Sequence, residues 1–451
     1  MNGVAPFHLS YKRRNYMNKI IVAGAGHGGL TAAYNLAKNG FDVTVYEKHE
    51  RENIGYDWHD SMNYDAFDKS GIERPDRSLI RGSVQSAFEN PSATVKLVLP
   101  YDDSGFLMDR KLLVNYLVEQ CESVGVKFNF GCEIKGAVLD KMTVAGISYK
   151  KNGEACEATG DLVIDACGMN SPVRKSLPPC FGIKNAFEAK ETFNVYRVYF
   201  ENLTGEVIDP PYLVSLFHMG KPGIDWLITE KDSADILVGK FGTAGELTPQ
   251  EIEEAVADYR ERYPFIGEKI IRGGSVEKIP LSKMIPLLVA DGYAAIGDCA
   301  GMTVPLNGSG IVLSMNAGKI LADKILQCEC DAFSIRNLWK YQYEYFQVFG
   351  KDLVMIDILK NFFTNCKKKD IDYFLEKKIL TEEMLDFGKG IDITPQFVLH
   401  IIAVGLPLVG LLAPLVSNLK SIPSIDSVAA AMPELYDKKA VEEWVEKYSR
   451  L

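Results

Sequence analysis

The hydrophobic pattern near the start of the chain predicts a strand, a helix and a second strand in succession. Ile20 to Ala23 are uniformly apolar and predict a buried strand, and Ala33 and Leu36 lie on one face of the helix that follows. Gly40 predicts the end of that helix, and Val43 and Val45 predict the next strand. This order of elements is typical of an α/β fold with a parallel sheet.

The turn between the first strand and the helix has the spacing G-x-G-x-x-G. Gly24 permits the sharp turn, Gly26 lets a pyrophosphate approach the backbone, and Gly29 allows close packing of the helix on the strand. The start of the helix offers free N–H groups to phosphates. Glu47 follows the second strand, where a carboxylate accepts the hydroxyls of an adenosine ribose. The segment therefore predicts a dinucleotide site.

The middle of the chain changes to alternating β-branched and aromatic residues, which predict an antiparallel sheet. The predicted strands of this sheet are 192–200, 212–218, 224–229 and 235–241. A helical region follows from 331. Within it, the stretch 397–416 is almost entirely apolar but contains Pro407 and Pro414. A buried hairpin closing over a hydrocarbon substrate is the favoured interpretation; surface contact with a membrane and a true span are the alternatives.

Composition narrows the class of protein. The 451 residues suit two or three packed subdomains, and the 47% hydrophobic and 24% charged content is ordinary for a globular protein. The net charge of -10 argues against a nucleic-acid partner. The 9 cysteines show neither C-x-x-C nor metal-site spacing, which predicts no metal and fits a reducing cytoplasm. Residues 1–16 are polar and are expected to be a flexible extension.

A second glycine-rich segment indicates which dinucleotide binds. A short predicted strand at 293–296 runs into Gly297 and Asp298, and a loop then leads to a new helix. A flavin needs such an element, because its ribityl chain requires a carboxylate partner and its N1–C2=O edge gains negative charge on reduction. N–H groups at a helix start stabilise such a charge. The loop residues that we expect to serve a flavin here are Pro305, Gly308, Ser309 and Gly310.

Two further motifs complete a family resemblance. Residues 161–174 contain Asp165, Gly168, Ser171 and Arg174 in the spacing of a D-x-x-G-x-x-S-x-x-R signature, and Arg110 lies in a Met-Asp-Arg segment. With the two glycine-rich segments, these motifs resemble the flavoproteins typified by p-hydroxybenzoate hydroxylase and geranylgeranyl reductase. The resemblance covers most of 17–330 and implies FAD as cofactor, with Asp165, Gly168 and Arg110 near it.

The resemblance implies an α/β fold with a Rossmann-like FAD-binding domain of the glutathione-reductase type 2. An antiparallel-sheet substrate domain is inserted into it, and a helical C-terminal region follows. The expected FAD-binding parts are 17–75, 105–185 and 280–330, the expected sheet parts are 76–104 and 186–279, and the helical region is 331–451.

Candidate catalytic residues follow from the segment after Glu47, which runs towards the flavin ring in the family. Residues 54–64 read as a polar, aromatic loop in which His59 could donate a proton and Asp57 or Asp60 could orient it. A solvated loop that merely covers the cofactor is the open alternative. Trp226 lies where geranylgeranyl reductases carry a Tyr-x-Trp-x-Phe-Pro motif, of which only the tryptophan is present. It either lines the substrate pocket or belongs to the core.

Two reactions share this scaffold. A reductase transfers hydride from reduced flavin N5 to a C=C bond of an apolar, isoprenoid or lipid-like substrate, and a monooxygenase uses the hydroperoxide to hydroxylate an aromatic ring. The sequence G-D-x-A-G at 297–301 favours the reductase by resemblance, and a non-catalytic flavin module is a distant third interpretation. No second G-x-G-x-x-G is present, so NAD(P)H binding transiently or an electron-transfer protein is the expected donor.

Overall fold

A computed structural model describes residues 18–101, 103–382 and 422–451. The predicted extension 1–16 and the apolar stretch 397–416 both lie outside these residues. The strands, in chain order, are β1 (Lys19–Ala23), β2 (Asp42–Tyr46), β3 (His59–Asn63), β4 (Ile80–Gly82), β5 (Ser86–Glu89), β6 (Lys96–Val98), β7 (Gly105–Asp109), β8 (Lys127–Asn129), β9 (Cys132–Asp140), β10 (Thr143–Lys151), β11 (Glu154–Thr159), β12 (Leu162–Asp165), β13 (Thr192–Asn202), β14 (Tyr212–Leu216), β15 (Ile224–Thr229), β16 (Ser233–Phe241), β17 (Ile266–Pro280), β18 (Val289–Ala290) and β19 (Tyr293–Ala295).

The helices lie within the same described ranges. In chain order they are α1 (His27–Lys38), α2 (Asp65–Ser70), α3 (Arg110–Ser123), α4 (Pro172–Ser176), α5 (Pro249–Arg262), α6 (Ile311–Leu326), α7 (Ile335–Tyr345), α8 (Lys351–Phe363), α9 (Lys368–Glu376), α10 (Ile422–Ala430) and α11 (Lys438–Ser449). No helix within these ranges combines the length and the apolar character needed to cross a bilayer.

The first large sheet, called the parallel sheet below, has six strands in the order β18-β19-β12-β1-β2-β8. Strand β1 lies inside it and pairs in parallel with β2 on one side and β12 on the other. Its residues from Ile20 to Ala23 are fully buried, which explains the continuous apolar run in the sequence. The α/β fold expected from the sequence is therefore confirmed.

The second large sheet, called the antiparallel sheet below, has seven strands in the order β17-β13-β16-β15-β14-β5-β6. Its neighbouring strands are antiparallel apart from the parallel pair of β5 and β14. One face packs on α5 through residues such as Leu227 and Ile236, and the opposite face packs on α8 and α9 through residues such as Ile224 and Phe241. Strand β14 ends at Leu216, two residues earlier than predicted, because Phe217 takes a left-handed conformation with φ 49°.

Two small antiparallel sheets complete the β structure, with the orders β11-β10-β9 and β3-β7-β4. The second one corrects the sequence prediction, which treated 54–64 as a loop throughout. Residues His59–Asn63 form a strand paired with Gly105–Asp109. Only Met62 of this strand is buried, so its hydrophobic alternation is too weak to be recognised in the sequence.

Helices α1 and α6 pack against each other through backbone atoms at two glycines. A Cβ atom on Gly28 would lie 2.5 Å from the carbonyl oxygen of Ser314, and one on Gly318 would lie 2.3 Å from the carbonyl oxygen of Gly28. The two helices follow the two glycine-rich segments of the sequence. Their backbone contact therefore sets the spacing between those segments.

Candidate active site

The motifs that are far apart in the sequence meet at one edge of the parallel sheet. Gly24 follows β1, Glu47 follows β2, Asp165 ends β12 and Gly297 follows β19 closely. These strands are parallel neighbours, so their carboxyl ends lie side by side. Ligands of open α/β sheets bind in the crevice outside these ends.

The glycine-rich turn lies directly against the backbone that follows β12. Gly24 has φ 88°, and a Cβ atom there would lie 2.7 Å from the carbonyl oxygen of Ala166. A Cβ atom on Gly26 would lie 3.0 Å from the same oxygen, and one on Gly29 would lie 2.6 Å from the Ala166 Cβ atom. The turn thus has room for backbone only, and α1 begins at His27 with its free N–H groups at this edge.

The carboxylate of Glu47 spans the turn and the chain after β2. It is 8% exposed and accepts hydrogen bonds from the backbone N–H groups of Ala25 and His49, both at 2.9 Å. Each of its oxygens has a second lone pair. The residue can therefore accept ribose hydroxyls while it holds the turn in place.

Asp165 lies deeper than the sequence analysis expected. Its carboxylate is fully buried and accepts hydrogen bonds from the Ser171 hydroxyl at 2.5 Å, the Cys167 N–H at 3.1 Å and the Tyr293 hydroxyl at 3.0 Å. Burial raises its pKa, against the lowering effect of these donors. In this geometry Asp165 supports the loop, whereas Gly168 at the tip of the loop, with φ 76°, has open space before it.

Arg174 joins the two loops behind this edge. Its guanidinium is fully buried and donates to the carbonyl oxygens of Cys299 at 2.5 Å and Met169 at 2.6 Å. Cys299 directly follows Asp298, so the arginine fixes the position of that carboxylate. The last residue of the D-x-x-G-x-x-S-x-x-R motif thus positions the second glycine-rich segment.

Asp298 and Arg110 form the charged centre of the crevice. Burial raises the pKa of Asp298 and Arg110 opposes the shift, while none of the described residues gives the carboxylate a hydrogen bond. Arg110 donates to both oxygens of Asp60, at 2.5 and 2.6 Å, and lies 5.3 Å from the ring centre of Tyr56. A carboxylate without a protein donor fits the hydroxyls of a ribityl chain, and the glycine cradle fits a pyrophosphate.

Some backbone N–H groups of the loop before α6 already donate hydrogen bonds within the loop. The N–H of Gly308 donates to the Val304 carbonyl at 2.9 Å, and the N–H of Ser309 donates to the Asn307 side chain at 3.0 Å. The donors left for a ligand are those of Gly310 and the first turn of α6. Pro305 is buried beside them. Gly308 and Ser309 therefore shape the loop, because their N–H groups already have partners within it.

His59 and Asp57 do not contact each other, although the sequence analysis paired them. Both contact Arg272 of β17, which lies 3.2 Å from the His59 Nε2 atom and 3.1 Å from an Asp57 oxygen. Arginine has no acceptor, so Nε2 must accept and the imidazole is neutral. Burial and then the charges of Arg272 and Arg81 lower the pKa of His59. Asp60 is likewise held by Arg110 and does not orient the histidine.

Arg197 is a site residue that sequence reasoning missed. It is 5% exposed, pairs with both oxygens of Asp235 at 3.0 and 2.5 Å, and donates to the His59 carbonyl at 2.7 Å. Its guanidinium lies 5.6 Å from the ring centre of Trp58 and 5.2 Å from that of Trp226. The available signal was a charged residue within the apolar alternation of β13, which indicates a buried partner.

An apolar cleft lies on the same face of the antiparallel sheet as Trp226, between that face, α8 and α9. Leu306 connects it to the loop before α6, so the cleft lies next to the crevice of the parallel sheet. Its lining is entirely apolar and consists of Phe88, Leu216, Phe217, Gly223, Ile224, Phe241, Leu306, Phe363, Ile371 and Leu380. Such a lining selects hydrocarbon. Within the described ranges, no group of histidine, cysteine and carboxylate side chains could hold a metal ion.

Comparison with known proteins decides the cofactor. The family model described as FAD binding domain matches residues 17–332, which is most of the chain. The chain belongs to this FAD-binding family. It is an FAD-dependent oxidoreductase, and the glycine turn and carboxylates of the crevice are chemically compatible with this cofactor.

The chain is similar to individual proteins over most of its length. The chain is 24% identical over 376 residues to a digeranylgeranylglycerophospholipid reductase of Sulfolobus acidocaldarius, covering 81% of this chain and 82% of that protein. It is 27% identical over 348 residues to one of Methanocella arvoryzae, covering 74% and 84%. A solved geranylgeranyl bacteriochlorophyll reductase-like protein of Thermoplasma acidophilum has a TM-score of 0.74 at 18% identity, with 88% of this chain and 99% of that chain covered.

Proposed function

We propose that this FAD-dependent oxidoreductase is a reductase that saturates C=C bonds of an isoprenoid or similarly apolar lipid. The observation that supports the proposal is the apolar cleft beside Leu306, which offers a substrate hydrocarbon contacts alone. Buried apolar area contributes about 25 cal/mol per Å², so a long chain binds tightly with few polar contacts. The names of the related reductases point to the same class of substrate.

The residues at the edge of the parallel sheet would hold the cofactor. Gly24, Gly26 and the start of α1 would receive the pyrophosphate, Glu47 the ribose and Asp298 the ribityl chain. Bound FAD would supply the hydride for the double bond. Arg110 is held by Asp60 and would keep positive charge near the flavin nucleotide.

His59 and Asp57 remain our proposed participants in proton handling, with Arg272 between them. The hydrogen bond from Arg272 leaves the His59 proton on Nδ1, so a proton passing to substrate through this residue must use that atom. Trp226 would form the wall of the substrate path, since it lies two residues from Ile224 on the same face of β15.

The domain boundaries and the electron donor are part of the proposal. The segments 76–104 and 186–279 supply the strands of the antiparallel sheet, as a substrate domain inserted between FAD-binding segments would. NAD(P)H binding transiently, or an electron-transfer protein, would reduce the flavin. Peripheral membrane contact through 397–416 would bring the enzyme to its lipid substrate.

Reoxidation of the reduced protein tests the reaction class. The flavin is photoreduced without oxygen, and its absorbance is followed after addition of a geranylgeranyl lipid, an enoate or oxygen. A reductase is reoxidised by the lipid and releases a product two mass units heavier. Rapid reoxidation by oxygen alone, with hydroxylation of an aromatic compound, would establish the monooxygenase instead.

A variant pair connects the reaction with the apolar cleft. Ile371→Gln places an amide in the lining, while Leu203→Gln changes a side chain that is 62% exposed and does not line the cleft. The first variant should raise KM for the lipid about tenfold and leave reoxidation by oxygen unchanged. The second should behave as the unmodified protein.

A further inference from the structure

The turn between β14 and β15 separates the apolar cleft from a buried ionic cluster. On one side, Leu216, Phe217 and Ile224 line the cleft. On the other side, His218 is 5% exposed and Lys221 is 9% exposed. Phe217 and Met219 take left-handed conformations with φ 49° and 55°, which β-strand residues adopt only when surrounding contacts hold them. What holds the turn therefore determines the shape of the cleft wall.

His218 contacts a carboxylate with each of its ring nitrogens. Its Nδ1 atom lies 2.8 Å from an oxygen of Asp225 on β15, and its Nε2 atom lies 2.8 Å from an oxygen of Asp258 on α5. A carboxylate only accepts hydrogen bonds, so both nitrogens carry a proton and the ring is an imidazolium. Burial lowers the pKa of His218, but Asp225 and then Asp258 outweigh it, and the pKa lies above its usual value.

The charges around the histidine balance only while it is protonated. Lys221 of the same turn donates to Asp225 at 2.6 Å, and Arg262 of α5 lies 3.6 Å from Asp258. Arg262 also donates to Glu89 of β5 at 2.6 Å. Three carboxylates thus face three cations, of which His218 is one. The ring of Tyr259 packs on the imidazole at 4.7 Å, and the nearby Lys240 pairs with Glu251.

We propose that His218 is a positioning residue for the substrate, whose imidazolium fixes the turn over 217–223 as the wall of the apolar cleft. Loss of its proton then weakens hydrocarbon binding. A neutral imidazole has one N–H, so its other nitrogen presents a lone pair to a carboxylate and one of the two contacts is lost. The turn separates from β15 or α5, and Phe217 leaves its left-handed conformation. This inference rests on the proposed function of the cleft.

The sign of the pH effect follows from the geometry. The imidazolium is the form that the folded turn prefers, so tight binding is present at low pH and is lost as the pH rises through the pKa of His218. Geranylgeraniol is the probe, titrated into the FAD-loaded full chain. We expect its Kd to rise about fivefold between about pH 6 and pH 9, the effect of one charge-assisted hydrogen bond.

Amide hydrogen exchange of the peptide 216–224 measures the turn itself. The N–H of Phe217 donates to Gly223 at 3.0 Å and that of Gly220 donates to Phe217 at 2.7 Å. The protection of both amides, which is the exchange rate of an unstructured amide at the same pH divided by their own, should therefore decrease above the transition. This readout needs neither ligand nor turnover. If the exchange transition occurs but geranylgeraniol never binds, the proposed function fails while the His218 contact stands. If the protection of these amides is the same below and above the transition, the inference itself is overturned.

Variants distinguish positioning from a structural role. Asp258→Asn removes one carboxylate and should shift the transition in Kd to lower pH, and His218→Gln should bind weakly at every pH. Glu251→Gln is the matched control, since it breaks an ion pair of α5 without touching the histidine. It should lower stability yet keep the pH profile. An unshifted profile in Asp258→Asn would overturn the proposal even if His218→Gln fails to fold.

Discussion

The two large sheets build their sites in different ways. At the edge of the parallel sheet, each site residue follows its own strand directly, as Gly24 follows β1 and Glu47 follows β2. On the antiparallel sheet, Arg197 and Trp226 come from β13 and β15 and meet only because both strands pair with β16, where each residue lies opposite Leu237. The proposed cofactor site is thus encoded in short motifs, whereas the proposed substrate face depends on long-range pairing.

The energetics of the two regions differ as well. Around the parallel sheet, backbone packs against backbone at glycines, so substitutions that add atoms are destabilising there. The antiparallel sheet buries ion pairs such as Arg197 with Asp235, so substitutions that remove one partner of a pair are destabilising there. Damage to the first region should release FAD, and damage to the second should leave FAD bound while it reduces stability or substrate binding.

The largest effect is expected for Gly28→Val. Its Cβ atom would lie 2.5 Å from the Ser314 carbonyl oxygen, so α1 and α6 must move apart. We expect loss of bound FAD and a decrease of about 3 kcal/mol or more in the free energy of unfolding. Flavin absorbance per chain and thermal unfolding measure both. Gly82→Ala is the control, because no atom lies within 4 Å of its added Cβ. A yellow, stable Gly28→Val protein would contradict the backbone contact.

Arg197→Met should affect the other region. It leaves the carboxylate of Asp235, which is 4% exposed, without its partner, and should cost about 3–5 kcal/mol of unfolding free energy. FAD should stay bound in the folded fraction. Urea unfolding followed by tryptophan fluorescence measures the loss. The double variant Arg197→Met/Asp235→Leu should recover most of it, and failure to recover would show that the arginine acts through other contacts.

Glu47→Gln tests the ribose contact at constant side-chain size. The amide keeps one acceptor for the turn but loses the charge that strengthens hydrogen bonds to hydroxyls. FAD binding should weaken by about 1–3 kcal/mol, measured by reconstitution of the apoprotein. Lys48→Gln, at the exposed neighbouring position, is the matched control. Equal FAD affinity in the two variants would exclude Glu47 as a ligand.

The smallest effects are expected for His59→Gln and Asp57→Asn. The imidazole is neutral and contacts Arg272, so its replacement should lower turnover about tenfold while flavin content is unchanged. Asp57→Asn weakens the ion pair with the same arginine at a more exposed position, and should lower turnover less. Steady-state rates with a geranylgeranyl lipid, normalised to bound flavin, provide the comparison. Normal turnover in His59→Gln would assign the proton to another group.

The sequence predicted the parallel sheet well, because its signals are local. The apolar run before Gly24, the helix after it and Glu47 after β2 are confirmed as elements. The motif at 161–174 also has its predicted position, although Asp165 faces inwards. A spacing pattern identifies the loop, but only the tertiary structure shows which of its side chains points at the crevice.

The antiparallel sheet was predicted as the strands of a substrate domain with Trp226 as a candidate, but Arg197 was not predicted. Its alternation gave β15 its bounds, whereas the partner of Arg197 depends on the pairing of β13 with β16. His218 was placed in a strand because it continues the alternation of β14. The left-handed conformation of Phe217 interrupts that strand. It could not be predicted from the sequence, because phenylalanine usually avoids this conformation.

The contact between Gly28 and Gly318 has a consequence for how the protein tolerates change. The spacing of the two glycine-rich loops is fixed by backbone atoms, whose size no substitution elsewhere alters. Core side chains around α1 and α6 can therefore be exchanged for others of similar volume without changing the distance between the loops. Because of these two glycines, the geometry of the crevice does not depend on which side chains of similar volume fill the core beneath it.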